Sequence, residues 1–201
     1  MPKNSKKTIP LGSGDLYIDE VPGTLPATAA AWVTQLTTSC VEAKLAGKIK
    51  SGASLEYSEE TYTEKSDDGT VVKVITVEES GTLKAGLIAW NAETLHTLID
   101  RSKVETVSTG SGSTAKNYRV TKLGGKGNEQ DVNYLVIFHH HDAKDGGIWV
   151  VLVGRNTSPI TIAFAKDAGS LIEPTFTATP LDDDGTCIVY IEELDDGSSG
   201  T

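Results

Sequence analysis

The sequence predicts a mainly β fold, a sandwich or barrel with one flanking α-helix, and three observations carry that expectation. The first is the last third of the chain. Tyr134–Phe138, Ile148–Val153, Phe176–Thr179 and Thr186–Ile191 are strand-length runs separated by turn-forming residues. The second is a pair of β-rich runs, Lys48–Thr63 and Thr70–Glu79, on either side of Asp67-Asp68-Gly69. An Asp-Gly step between β-formers readily takes the positive φ of a tight turn, so the two runs form a hairpin. The third is the lack of strand–helix–strand alternation along the chain, which disfavours a parallel α/β sheet.

Taken in order, residues 1–13 are polar and read as a flexible N-terminal arm. Asp15–Glu20 alternates, with Leu16 and Ile18 on one side, and reads as a short strand until Pro22, Gly23 and Pro26 break it. In 27–46 the alanines favour helix, while Thr34, Thr37 and Thr38 lose side-chain freedom there. The expectation is an irregular segment with at most a short helix. In the 48–79 hairpin, Ser58, Glu59, Glu60, Thr61, Thr63 and Glu64 make one arm polar. Such an arm cannot bury itself on its own core, so it projects into solvent or onto a neighbour.

Gly81 interrupts the second arm and Thr82–Trp90 continues it. Asn91 then supplies an N-cap oxygen, and Ala92, Leu95, Leu98 and Ile99 recur at helical spacing. The expected helix covers about 91–101, with Arg101 and Lys103 suited to its C-terminal dipole. Lys103–Ser108 and Asn117–Leu123 read as strands around a Gly/Ser loop at 109–114. The division expected is an arm at 1–13, one β-domain at 14–193 with the projecting hairpin at 48–79, and an acidic tail at 194–201.

Composition narrows the function classes. The chain has 201 residues, 38% hydrophobic, with a formal net charge of −10. Groove binding of nucleic acid needs clustered cations, so this balance argues against it. The segment Met1-Pro2-Lys3-Asn4-Ser5-Lys6-Lys7 is followed by no apolar run, and the longest apolar runs are far too short to span a bilayer. A soluble protein made in a cytoplasm is expected. Cys40 and Cys187 match no metal or redox spacing and read as reduced thiols.

No constellation of reactive residues emerges, and no catalytic, cofactor or metal residues are expected. In His139-His140-His141, neighbours on a strand face opposite sides, so only His139 and His141 share one. No further ligand completes a tetrahedral set, and the run reads as a strand end leading into a turn. Gly110-Ser111-Gly112-Ser113-Thr114-Ala115 fits a loose dinucleotide fingerprint, but a strand follows it instead of the required helix. Asp182-Asp183-Asp184-Gly185 lacks the ligand spacing of a calcium loop and reads as a hairpin turn. His96 lies inside the expected helix with no nucleophile-elbow sequence nearby. Glu59-Glu60, Glu78-Glu79 and Glu192-Glu193 are adjacent on strands and cannot share acid–base work. Trp32, Trp90 and Trp149 read as core or interface residues, which leaves few aromatics for stacking on a sugar.

From about Ile9 to Glu193 the chain resembles the tail-tube, or major tail, proteins of long, non-contractile-tailed bacteriophages. The passages that carry the resemblance are Ile9–Ile18, Lys50–Tyr57, Thr82–Asn91, Val153–Asn156 and Phe176–Gly185. Each is a strand or turn pattern, and their order over the full length carries the likeness. The histidine run and the Gly/Ser loop have no counterpart in it. The resemblance implies a tail-tube-type β-sandwich or barrel whose copies form hexameric rings stacked into a tube. It implies a structural virion protein, made in the host cytoplasm and placed in the virion tail. Its partners would be further copies of itself, the tape-measure protein, and the tail-tip and tail-terminator proteins. DNA would pass through the lumen without specific binding, and an acidic wall would leave it free to slide. The inner tube of a contractile tail or of a secretion apparatus shares the fold, and a monomeric β-sandwich binding module is the alternative from another class. A hydrolase on a β-scaffold ranks last.

Overall fold

A computed structural model describes residues 14–142, 146–164 and 169–194. The expected arm at 1–13 and the tail beyond residue 194 lie outside the described residues. The chain is mainly β, as the turn-punctuated sequence requires. Among the described residues there are nine strands and two α-helices: β1 (Asp15–Glu20), α1 (Ala29–Ser39), β2 (Leu45–Lys65), β3 (Val71–Ala89), α2 (Ala92–Leu98), β4 (Ser102–Thr109), β5 (Lys116–Leu123), β6 (Tyr134–Asp142), β7 (Gly146–Asn156), β8 (Thr175–Thr179) and β9 (Val189–Glu192).

The main sheet is antiparallel and closes on itself. The strand order is β6-β1-β2-β3-β8-β7-β9, and β6 pairs again with β7 along its whole length. The result is a six-stranded barrel with β9 attached to the outer half of β7. Closure removes free edges from the barrel wall, which is the most economical way to satisfy its backbone groups.

Side-chain alternation sorts the apolar residues into two cores. Leu16, Leu83, Ala85, Leu87, Val136, Leu152 and Phe176 belong to one cluster, which Leu95 and Leu98 of α2 complete. The intervening residues Leu135, Ile137, Val151 and Val153 join a second cluster on the other face, beneath Trp32 and Leu36 of α1. Strands β6 and β7 are therefore buried on both faces, which explains their continuous apolar runs.

Helix α1 is the main departure from expectation: 27–46 is not irregular, and the barrel has two flanking helices. Thr28 caps the helix by accepting from Ala31 N at 3.2 Å. The threonines turn their hydroxyls back onto the helix, Thr34 to Ala30 O at 3.0 Å and Thr38 to Gln35 O at 2.8 Å. Burial of Trp32 and Leu36 outweighs their modest propensity cost. Below the helix, buried Ser39 donates to Asp19, whose carboxylate also meets Lys44 at 2.5 Å.

Helix α2 begins where Asn91 predicts. The Asn91 side chain accepts from Glu93 N and Thr94 N, and the Thr94 hydroxyl in turn accepts from Asn91 N. It stops at Leu98 and does not reach residue 101, because Ile99 is already extended and Ser102 starts β4. Arg101 pairs instead with Glu129 at 2.7 Å.

The Asp182–Gly185 turn is not a hairpin turn. Strands β8 and β9 do not pair with each other; both lie antiparallel to β7, end to end along one of its edges. The turn belongs to an excursion between two halves of one broken strand. Gly185 takes φ +87°, and Thr186 N donates to Asp182 Oδ1 at 2.9 Å.

Candidate assembly surfaces

Strands β2 and β3 leave the barrel together. From Ser54 to Ser80 no residue is buried, and all but Ser66 are exposed. The hairpin nevertheless carries Leu55, Tyr57, Tyr62, Val71, Val72, Val74, Ile75 and Val77 with 40–67% of their surface in solvent. It also carries eight acidic side chains against two lysines, Lys65 and Lys73. Gly81 does not interrupt β3. It is buried where the strand enters the barrel, and a Cβ there would meet the Ile188 side chain at 2.5 Å.

The root of the hairpin is a bulge. Ile49 pairs with Leu87 and the next pair is Ala53 with Ala85, so three residues of β2 oppose one of β3. Ser51 and Gly52 both take positive φ, 72° and 78°. Such a bulge sharpens the twist and re-aims the strand beyond it. An open groove of about 170 Å³ lies here, lined by Ser51, Ser54, Lys84 and Glu173 among others. Lys84 and Glu173 pair across it at 3.4 Å. The tip closes at Ser66–Thr70, where Gly69 has φ +85°. Ser66 and Thr70 both donate to Asp68, which holds its carboxyl down at about 2.

Register assigns the two faces of this hairpin. Glu59 lies opposite Glu79, and Glu60 opposite Glu78. Like charges directly opposite each other destabilise a strand pair. Beyond them a bulge at Val77 shifts the pairing, so Tyr62 meets Ile75 and Glu64 meets Lys73. One face thus presents Glu60 and Glu78, then Tyr62 and Ile75, then Glu64 and Lys73. Tyr62 donates to Glu64 on that face, and Tyr57 donates to Glu59 on the other, at 3.1 Å.

A second projection stands apart from the barrel sheet. Strands β4 and β5 form their own two-stranded ribbon. The segment 101–126 holds six of the chain's 18 Lys and Arg, with Glu105 as its one acid. One face meets α2: Ser102 is buried there and Arg119 pairs with Glu93 at 2.8 Å. The other face aligns Lys103 with Lys122, Glu105 with Val120, Val107 with Tyr118, and Thr109 with Lys116. Glu105 bridges Lys103 at 3.0 Å and Lys122 at 2.8 Å. Val107, Tyr118 and Val120 are 41–49% exposed. Sequence reasoning found both strands but not this concentration of charge, which a window count of Lys and Arg would have exposed.

The histidine run ends β6. His139 stacks on Trp149 with ring centroids 4.6 Å apart and planes 7° from parallel, and its ring lies 5.9 Å from His141. His139 and His141 do share a face, while His140 lies buried on the face of Val136 and Phe138. Burial first, then the neighbouring His141, pushes the His139 imidazole below its ordinary value. Among the described residues no group of three His, Cys, Asp or Glu side chains is placed to hold a metal ion.

His96 and Ser102 come within 2.8 Å, the spacing of a nucleophile and its base. The serine is 2% exposed, however, and its hydroxyl bonds Ile99 O at 2.6 Å and His96 O at 3.1 Å. Gln130 Nε2 reaches the same two carbonyls at 3.0 and 3.1 Å. The group closes the C-terminal end of α2, whose last carbonyls would otherwise lack partners. Cys40 and Cys187 are free thiols, and burial raises Cys40 to about 11.

The tryptophans divide. Trp32 is buried, Trp90 is half-buried and donates to Ser170 O at 3.3 Å, and Trp149 packs on the cluster of Trp32 and Leu36. More aromatics reach solvent than the sequence suggests: Tyr57, Tyr62, Tyr118, Phe164 and Tyr190 are all 48–88% exposed. Tyr57 and Tyr62 occupy opposite faces of the hairpin, and Tyr118 lies on the ribbon. No helix among the described residues is long and apolar enough to cross a membrane. Comparison with protein-family models gives no match, and neither does comparison with curated proteins.

Proposed function

We propose that this chain is a structural subunit that polymerises into a tube, in the manner of the phage tail-tube proteins its sequence resembles. Copies form hexameric rings, the rings stack, and the lumen encloses a tape-measure protein and then conducts DNA. The single observation that supports this reading best is the β2–β3 hairpin. Two long arms of apolar and acidic side chains stand free of any core, and a monomer gains nothing from holding them there. In an assembly their apolar surface is covered and their open edges are completed by neighbours. The closed barrel supplies the rigid body that such a wall requires, and a net charge of −10 keeps DNA phosphate from adhering.

Negative-stain electron microscopy of the concentrated protein tests the reading. Hollow tubes or rings of uniform diameter are expected. A chain in which 61–77 is replaced by an Asn-Gly turn, which leaves Glu60 opposite Glu78, should keep the barrel, read as an unchanged near-ultraviolet circular dichroism spectrum, and form no tubes. Normal tubes from that shortened chain would remove the hairpin from the mechanism. Monomers alone from the full chain, at every concentration and salt, would favour a monomeric binding module.

A further inference from the structure

The hairpin and the ribbon are opposite in charge and alike in layout. On the hairpin face the apolar pair Tyr62 and Ile75 lies between acids, Glu60 and Glu78 on one side and Glu64 on the other. On the outward ribbon face Val107, Tyr118 and Val120 lie between lysines, Lys103 and Lys122 at one end and Lys116 at the other. Each face is exposed and holds large apolar side chains in water. Each face also keeps a surplus of one sign, because Glu60 stands opposite Glu78, and Lys103 and Lys122 share the single carboxylate of Glu105. A partner of opposite sign compensates that surplus and covers the apolar stripe in the same step.

We infer that the Tyr62–Ile75 face of the hairpin docks on the Val107–Tyr118 face of the β4–β5 ribbon of a second copy of this chain. The inference rests on the tube reading and names the surface that receives the hairpin. The contact joins two different patches, so it is head-to-tail. Every copy offers one hairpin and one ribbon, and the contact repeats until it closes into a ring or continues as a filament. The ion pairs steer the encounter, and the central apolar residues hold it.

Charge exchange tests this directly. In the hairpin variant E60K/E64K/K73E/E78K the face reverses its charge, and the Glu64–Lys73 pair is kept in the opposite sense. In the ribbon variant K103E/E105K/K116E/K122E the face reverses likewise and the Glu105 bridges survive inverted. Circular dichroism and thermal melting of each establish that the barrel is intact. Tube mass is then measured by pelleting and microscopy. Each variant alone should lose about tenfold or more of the wild-type yield, because like charges across an interface cost several times thermal energy.

An equal mixture of the two should return to within about twofold of wild type, since alternating copies restore every opposite-charge contact. So should the chain carrying all eight changes. Single variants that assemble as well as wild type would overturn the pairing and leave the tube reading standing. Loss of tubes without rescue by the mixture would also overturn the pairing. A wild-type chain that never self-associates would overturn both.

Discussion

Strand β3 lives in two environments, and the contrast between its halves explains the molecule. From Gly81 to Leu87 it is barrel wall, with Leu83, Ala85 and Leu87 at most 1% exposed. From Val71 to Ser80 the same strand is half of a free ribbon, with Val72 67% and Ile75 40% exposed. Both halves use β-branched and apolar residues, as strands do. What differs is the partner: the wall has a core behind it, and the ribbon has only its sister strand. Local propensity therefore sets the extended conformation in both halves, and tertiary burial stabilises only one.

The largest effect should come from the core. Phe176→Ala removes a fully buried ring from the cluster of Leu16, Leu83 and Leu87 and should lower stability by about 3–5 kcal/mol in urea unfolding. Leu83→Ala, at the wall end of β3, should cost about 2–5 kcal/mol by the same measurement. Removing the α2 cap with Asn91→Ala should cost about 1 kcal/mol, since two backbone donors lose their acceptor.

Acid should destabilise the wall through His139. Its folded pKa lies below the unfolded value, so the unfolded chain binds the proton more readily. The stabilising contribution is complete above the unfolded value and fades as pH falls through the folded one. Melting temperatures taken downward from pH 7.5 should therefore fall below about pH 6.5, the unperturbed imidazole value. His139→Phe, which keeps a ring against Trp149, should reduce that slope.

The smallest effect should come from the free half of β3. Ile75→Ala should change monomer stability by no more than about 0.5 kcal/mol, although it lies on the same strand as Leu83. A loss in the range of the core variants would show that the hairpin is packed in the free subunit, and would erase the contrast.

Much of this was legible from the chain. Strand runs and turn residues placed β1, the long hairpin and the four strands of the last third, because apolar alternation and Gly or Asp punctuation are local signals. Asn91 marked the start of α2 for the same reason. Helix α1 was under-read, as a short helix within an irregular segment, because its decisive term is tertiary: Trp32 and Leu36 bury against β6 and β7, and no local rule weighs that against four threonines and serines. The collinear arrangement of β8 and β9 was equally invisible, since a turn signal such as Asp184-Gly185 reverses a chain in a hairpin and equally well caps an excursion. Barrel closure depends on the β6–β7 register and on β1 lying between β6 and β2, both long-range choices. The two projections were half-read. The polarity of the 48–79 arm predicted projection, but the two charge faces exist only once register places Glu60 by Glu78 and Lys103 by Lys122.

The bulge at Lys50–Gly52 has a mechanical meaning. The hairpin it aims is free beyond Tyr57 and Gly81, a lever of roughly 30 Å at about 3.3 Å per residue. A change of about 10° in its direction displaces the tip by about 5 Å, about the spacing between neighbouring strands. Backbone angles at Ser51 and Gly52 thus set the aim of the distant tip, although neither residue touches it. Gly52 has open space around its Cα, so a side chain there would clash with nothing and would still be strained at φ +78°. Substitutions at this one position would leave the distal faces of the hairpin chemically unchanged and alter where the tip arrives.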